Sequence, residues 1–481
     1  MVMTDLNFMF LPVGRYYRAD VPTCDPGDCM LDAAVRMRDL NISAIVVCDA
    51  GTPVGIMTDR GLRDCVIAQN MNPHDVHVHS AMNAPPITIS LEASLLDALQ
   101  LMSRHSVQQL IVLNEYGQLA GTITESDIFN LQKQSPQHLA MEIERAATID
   151  ELRALHIRVQ DLVAQLLETG VNIQAMVRLI AGLNDRVLLR LIHVVRDSRY
   201  VCLDNRFAFI VLGSQGRSEQ TLTTDQDTAI IYADDLSAAE VSLLGEFCRK
   251  VIDSLVTIGI PYCPGDTMAT NEFWRRSISG WRGEIDRWLS SINLENIINI
   301  AMFCDMRTLY GDPELERAVK SHIATNLGHN ELFLMKMAAN VHRIRIPLCW
   351  GGRIRTETIG DLHGQLDIKR GGIFTITEGV KVLALESKIL EGGTLKRIAA
   401  LVEAGVLNRV EAENLCAAFD QLISLRLRFQ VESISGGQAP SNNIVPDRLN
   451  RMELGKLRLA LEEVCSFQGF LKRRYQLGQF F

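Results

Sequence analysis

The sequence predicts a multidomain α+β protein, and three observations predict it. A strand-and-helix pattern occurs twice within residues 1–135. A Gly-Ser turn and two aspartates lie between a pair of apolar strands at residues 207–232. Residues 331–481 are patterned almost throughout at helical spacing.

With 481 residues the chain has room for about three domains. It is 47% hydrophobic and 22% charged, the balance of ordinary globular cores rather than disorder. The net charge of −9 offers no global basic surface, so nucleic acid is not an expected partner. Eleven cysteines occur without a CxxC pair, and the N-terminus lacks a basic stretch followed by a long apolar one. Reduced thiols and a cytoplasmic location are the expectation. No window approaches 18 uninterrupted apolar residues, so no membrane span is expected.

The repeat comprises residues 29–64 and 94–129. Each copy reads as an amphipathic helix, a β-branched strand (AIVV, LIVL), a turn, a second strand (VGIMT, LAGTIT) and another helix. One copy alone is too small to bury its apolar face, so the two should pack as a pair. Leu31-Asp32-Ala33 and Leu96-Asp97-Ala98 open the helices, and Gly55 to Thr58 and Gly121 to Thr124 end the strands. On these marks residues 15–133 resemble a tandem CBS pair, the Bateman module. The resemblance implies a homodimer through the pair and an adenosine nucleotide in a cleft between the repeats. It also implies that Thr124 and Asp127 hold phosphate and ribose in the second repeat. The first repeat has Thr58, but Gly61 stands at the ribose position and offers no side-chain acceptor. A pure dimerisation scaffold is the plainer alternative.

Residues 134–200 carry apolar side chains every three or four positions, including Leu152, Leu155, Val159, Leu162 and Leu166, and read as a helical linker. Residues 201–330 are mixed, with two strands, a helix over 238–257 and tryptophan-rich helical segments. Residues 331–481 read as a helical domain interrupted by a loop at 435–443.

The chemistry concentrates in residues 213–227, GSQGRSEQTLTTDQD. Strand alternation sends Asp225 and Asp227 to one side and Gln226 to the other. Two such carboxylates repel by roughly 4 kcal/mol at about 4 Å and an effective dielectric near 20. A cation between them relieves this, and Mg²⁺ prefers hard oxygens and shares its shell with substrate phosphates. Gly213 permits close backbone approach, and Ser214 offers a hydroxyl and an amide. A helix beginning near Gln215 would aim N–H groups at phosphates. Arg217 could pair with a phosphate, and Glu219 could orient Arg217 or cap the turn.

A Gly-Ser turn followed after twelve residues by two aspartates, each beside an apolar strand, resembles the DNA polymerase β-like nucleotidyltransferase superfamily. Within it, RFAFIVLGSQGRSEQTLTTDQDTAIIY, MATNEFWRRSISGW, FCDMRTLYGD, LDIKRGGIF and TLKRIAALVEAGVL resemble the CBS-linked nucleotidyltransferases related to the PII-protein uridylyltransferase, over most of residues 150–475. The resemblance implies a nucleotidyltransferase-like domain at 201–330 and a helical substrate-binding domain at 331–481. It implies Mg²⁺ (or Mn²⁺) on Asp225 and Asp227, which with Ser214 form the catalytic set. A nucleoside triphosphate (NTP) would lie on Gly213, Ser214, Arg217 and Glu219, and a protein or small molecule would accept the nucleoside monophosphate. The superfamily also places a third carboxylate on a later strand, for which Asp266 and Asp305 are the candidates. The alternative function is a catalytically inactive nucleotide sensor or signal-transduction protein.

Other motifs have plainer readings beside a functional one. Lys369 and Arg370 could contact phosphates or form a salt bridge at a helix start. Thr394, Lys396 and Arg397 read as the opening of a helix. Asp305, Arg307 and Asp312 read as a buried ion pair. His74, His77 and His79 read as a polar linker rather than a metal site. Trp274, Trp281 and Trp288, seven residues apart, read as a packing stripe.

Overall fold

Each sequence repeat, together with a short strand just before it, forms one three-stranded sheet. The computed structural model describes residues 9–133, 135–168, 171–203, 205–222, 225–327, 330–349, 352–358 and 362–479. These fall into two units, Met1–Leu139 and Ala140–Phe481.

In the first unit β1 (Thr23–Cys24) runs parallel to β2 (Ala44–Asp49), which pairs antiparallel with β3 (Thr52–Thr58). The second repeat repeats this order with β4 (Thr88–Ser90), β5 (Gln109–Leu113) and β6 (Leu119–Thr124). Register shifts fall at equivalent places, after Val47 and after Val112. Helix α1 (Met30–Asp39) buries Met30, Ala33 and Met37, and α2 (Leu95–His105) buries Leu95, Ala98 and Met102; α3 (Glu125–Lys133) follows β6. The aspartate of the second Leu-Asp-Ala motif has a clear role: Asp97 and Ser94 form a capping box at the start of α2.

The strand-end glycines answer to close crossings. A Cβ on Gly121 would lie 2.0 Å from the Arg18 carbonyl oxygen, and one on Gly55 would lie 2.6 Å from Met82 Sδ. The Arg18 contact is with backbone that is bonded to Thr122 in both directions, so it cannot swing aside. Gly121→Ala is therefore expected to lower the stability of this unit by about 1–3 kcal/mol, the usual cost of overpacking. Gly51→Ala makes no clash but sits at φ +85, so its penalty is conformational. Denaturation midpoints of the two variants check the difference.

The second unit is built on a mixed four-stranded sheet. Strand β10 (Arg307–Gly311) pairs antiparallel with β7 (Phe207–Val211), β7 antiparallel with β8 (Thr228–Tyr232), and β8 parallel with β9 (Arg275–Ser277). All five residues of β7 are buried, so it reads as a continuous apolar run. Ala208 and Ile210 join a core with Trp274, Trp281 and Trp288, while Phe207 meets Phe247 on helix α6 (Ala238–Ile258). The three tryptophans pack on one another and on Phe303, and Trp281 Nε1 donates to the Ile230 carbonyl. They form a packing cluster, as the sequence reading expects.

Residues 134–200 correct the expectation of a linker. Helices α4 (Ile149–Glu168) and α5 (Ile173–Arg199) supply Val163, Met176, Val177 and Ile180 to the same core as the sheet. The apolar spacing seen in the sequence is the buried stripe of these helices. The C-terminal helices α8 (Phe374–Glu386), α9 (Thr394–Glu403), α10 (Arg409–Ser435) and α11 (Arg451–Arg474) continue that core. (Helix α7 is Ile278–Ser290, which carries Trp281 and Trp288.) The whole is a helix-rich α+β chain with small sheets. No helix among the described residues is long and apolar enough to cross a membrane.

Candidate active site

The ladder between β7 and β8 runs one pair beyond the strands, because Leu212 N donates to the Asp227 carbonyl at 2.9 Å. This puts Gly213 directly against Asp227. Gly213 adopts φ +53, and a Cβ there would lie 2.9 Å from Asp227 Oδ2. Glycine is demanded twice, by backbone conformation and by space. Residues Gly213–Gly216 then form one helical turn. The helix expected near Gln215 is thus a single turn, too short to act through a helix dipole. A Cβ on Gly216 would sit 1.8 Å from the Asp305 carbonyl oxygen, so this turn is pressed onto the start of β10.

Asp225 and Asp227 precede β8, which begins at Thr228, rather than opening it. Gln226 is buried and donates to the Ile260 carbonyl at 2.6 Å. Burial, with the charge of Asp225 added, pushes the Asp227 carboxyl above its ordinary range; a hydrogen bond from the Cys263 thiol and the charge of Lys369 act against this. Burial, then Asp227 itself, pushes the Cys263 thiol up to about 11, so it stays protonated as a donor. Thr223 and Thr224, inside the motif, lie outside the described residues.

Two carboxylates beside a phosphate-accessible turn suit Mg²⁺, which takes one or two protein carboxylates and completes its shell with phosphate and water. No group of three or more His, Cys, Asp or Glu suited to a metal occurs among the described residues. Neither candidate for a third carboxylate joins the pair. Asp266 is exposed, at φ +53, and accepts from Asn271 Nδ2 at 2.9 Å. Asp305 is buried and accepts from Arg217 at 2.5 Å, Lys381 at 2.8 Å and Arg397 at 2.7 Å.

That cluster also corrects the place expected for Arg217. Its guanidinium is turned inward, paired with Asp305 and with Glu219 at 2.8 Å, and no charge is left over for a phosphate. Glu219 does orient Arg217, and it also receives the backbone N–H and hydroxyl of Thr394 at the start of α9. Glu219 is thus a structural anchor rather than a nucleotide contact. Thr394 and Arg397 begin a helix, as expected, but Arg397 belongs to the Asp305 cluster. Arg307 pairs with Asp185 at 2.8 Å instead of with either neighbouring aspartate, and Asp312 caps the backbone N–H of Glu314.

The cations that do face the aspartates come from the helical domain. Lys369 Nζ lies 3.6 Å from Asp225 Oδ2. It opens a helical turn whose glycines allow close packing: Cβ atoms on Gly371 and Gly372 would lie 2.8 Å from Pro347 and 2.9 Å from Leu422. Asp367 caps Arg370, and Ile368 N donates to the Asn442 carbonyl. Asn442 also accepts from Arg426 Nε at 2.8 Å. Arg426 is buried; burial lowers its pKa to about 10 against the opposing charges of Asp225 and Asp367. The LDIKRGG motif signalled Lys369, but nothing local marked Arg426 or Cys263.

In the first unit, Thr58 Oγ1 accepts from Gly61 N and caps a turn. Thr124 Oγ1 donates to Asp127 Oδ2 at 2.6 Å, and Arg18 pairs with Asp127 Oδ1 at 2.6 Å. The acceptors expected to meet a ribose are therefore held by groups of the chain itself, of which Arg18 is the exposed one. His77 and His79 bond the carbonyls of Gly27 and Pro26.

Family comparison separates these parts along the chain. Residues 157–295 match the family described as "Putative nucleotidyltransferase DUF294", and residues 331–475 match "Putative nucleotidyltransferase substrate binding domain". Residues 13–68 and 76–133 each match the CBS domain. The chain belongs to the CBS-linked DUF294 nucleotidyltransferase family. The Gly213 turn and both aspartates of this DUF294 protein fall within the first match, and Lys369 and Arg426 fall within the second.

Curated relatives of the DUF294 protein match shorter stretches. An uncharacterized protein of Methanopyrus kandleri is 31% identical over 121 residues, 25% of this chain and 62% of that protein. An uncharacterized protein of Bacillus subtilis, YlbB, is 34% identical over 114 residues, 23% of this chain and 74% of that protein. The inosine-5'-monophosphate dehydrogenase of Korarchaeum cryptofilum is 34% identical over 110 residues, 23% of this chain and 22% of the enzyme. Among solved structures, a conserved uncharacterized protein of Pyrococcus horikoshii shares 24% identity at TM-score 0.25, covering 26% of this chain and 94% of its own. A CBS protein of Pyrobaculum aerophilum, complexed with AMP, shares 18% identity at TM-score 0.23, covering 24% and 89%.

Proposed function

We propose that this protein transfers a nucleoside monophosphate from an NTP to an acceptor held by its helical C-terminal domain, with Mg²⁺ (or Mn²⁺) on Asp225 and Asp227. The observation that carries the reading is the packing of Gly213 directly against Asp227, with Lys369 beside Asp225. Gly213 leaves room for a phosphate to approach the backbone. Ser214 offers its hydroxyl and amide to the same phosphates. The metal, when bound, would neutralise charge on the transferring group and align the attacking oxygen. Lys369 and Arg426 would meet the phosphates opposite the aspartates, which Arg217 cannot do. The acceptor, a protein or a small hydroxyl compound, would attack the α-phosphorus as the bond to pyrophosphate breaks.

The test is transfer of label from α-³²P NTPs, in turn, in the presence of Mg²⁺, with EDTA abolishing it. Lys369→Ala is expected to raise KM for the NTP about tenfold or more, as for loss of a charge-assisted contact. An unchanged KM would remove Lys369 from the site. In the CBS unit, an adenosine nucleotide at Thr124 and Asp127 would set the rate, with the chain paired as a homodimer through that unit.

A second reading has its own observation. Asp305 is fully engaged and Asp266 turns to Asn271, so of the four carboxylates considered only Asp225 and Asp227 are left to serve a metal. A site so equipped could bind Mg-NTP as a sensor without turnover. Calorimetry showing Mg-NTP binding, with no product across candidate acceptors after long incubation, would select this reading.

A further inference from the structure

Behind the turn that carries Gly213 and Ser214 lies a cavity of about 370 Å³. That is within the size range of small-molecule sites. Six stretches of chain wall it: the first two turns of α5, the 216–219 turn, residues 305–307 at the start of β10, Lys320, the 390–397 segment and the middle of α10. Gly213, Ser214, Asp225 and Asp227 are not among its lining residues, so it lies outside the proposed transfer site.

Its wall has two parts. Val177, Leu395, Phe419 and Ile423 form an apolar floor. Arg178 and Lys396 stand exposed at the rim, and neither makes an ion pair or hydrogen bond among the described residues. The other cations of the wall are paired: Arg217 with Asp305 and Glu219, Arg397 with Asp305, Lys320 with Glu316 and Glu391, and Arg307 with Asp185. Two cations without an ion-pair partner among the described residues, beside an apolar floor, suit a dianion carried on a nonpolar body. A polar pair completes the wall, with Gln174 Nε2 donating to Asp420 Oδ2 at 2.9 Å. Burial raises the pKa of the Asp420 carboxyl, with the hydrogen bond from Gln174 acting against it.

We infer that this cavity binds a small aromatic phosphate monoester, with its ring against Phe419 and its phosphate meeting Arg178 and Lys396. The inference does not rest on nucleotidyl transfer. A ligand there touches the 216–219 turn from behind. That turn is tightly held: a Cβ on Gly393 would lie 2.6 Å from the Arg217 carbonyl oxygen, and Ser218 sits at φ +57. The site is thus placed to act on the strand-end turn that leads to Gly213.

Phenyl phosphate is a suitable probe, since it has an aryl group and a dianion but neither ribose nor triphosphate. Titration calorimetry on the full chain is expected to show saturable binding at one site. The double variant Arg178→Glu/Lys396→Glu, whose positions are both exposed, should keep its circular dichroism and weaken binding at least about tenfold. Lys369→Ala and Asp127→Ala should leave binding unchanged. The inference is overturned by absence of saturable binding, by binding that the double variant retains, or by binding that Lys369→Ala or Asp127→Ala removes. Turnover of labelled NTP is a separate measurement, and its failure leaves this titration unaffected.

Discussion

Asp227→Asn is expected to reduce nucleotidyl transfer by about a thousandfold or more while leaving the fold intact. The effect should be large because Asp227 is the carboxylate nearest the Gly213 backbone, where a phosphate would lie. Removing one preorganised charge or donor from such a site typically costs about 10²–10³ in kcat, and loss of a metal ligand adds to this. The fold should survive for an electrostatic reason. Burial and Asp225 both oppose ionisation of Asp227, so a neutral amide of the same shape relieves a strain rather than creating one. The amide oxygen can still accept from the Cys263 thiol. The thermal midpoint should therefore be equal to or above that of the parent. Single-turnover transfer and a melting curve on the same preparation check both halves. Transfer at the parent rate would sink the assignment of Asp227 as a metal ligand.

Asp305→Ala is expected to destabilise the second unit by about 3–5 kcal/mol, the cost of leaving buried charges without their partner. Lys381, Arg217 and Arg397 all converge on this carboxylate, and Lys381 and Arg397 are almost wholly buried. Lys381 and Arg217 retain Glu378 and Glu219, but Arg397 has only carbonyl contacts left. The loss should reach the transfer site indirectly, since Arg217 ends the turn that begins at Gly213. Chemical denaturation measures the first effect; a loss under about 1 kcal/mol would refute the role given to Asp305. The pH dependence follows from the same group. Burial opposes its ionisation, but Lys381, Arg217 and Arg397 outweigh burial and hold its pKa well below the ordinary carboxylate range. A depressed folded-state pKa gives stability that is complete above the unfolded pKa, near 4, and that is lost as pH falls below it. The variant should accordingly lose less stability than the parent between about pH 4 and strongly acid pH.

Much of the candidate site was legible. The Gly-Ser turn and the paired aspartates announce themselves because both requirements are local. A positive φ needs glycine, and two carboxylates one residue apart share a side of an extended chain. The helix starts near Leu96-Asp97-Ala98 and Thr394 and the tryptophan stripe were legible for the same reason. Arg217 was misplaced because its neighbours in sequence cannot say which way a long side chain turns. Its main partner, Asp305, lies 88 residues away. Lys369 lies beside Asp225, and Arg426 feels its charge, where Asn442 ties their two segments together, a bond no local pattern encodes. The 134–200 helices show the same limit in reverse: their apolar spacing was read correctly, but the surface that covers it was not.

By itself, then, the sequence determined the repeat, the strand-turn-strand unit and the residues proposed to hold a cation and a phosphate. These follow from periodicity, backbone conformation and charge at short range. The tertiary structure alone decided which cations face the aspartates, which carboxylate is consumed by an internal ion cluster, and where a second cavity opens. Those depend on how distant segments pack, and packing selects one partner among many that composition would allow.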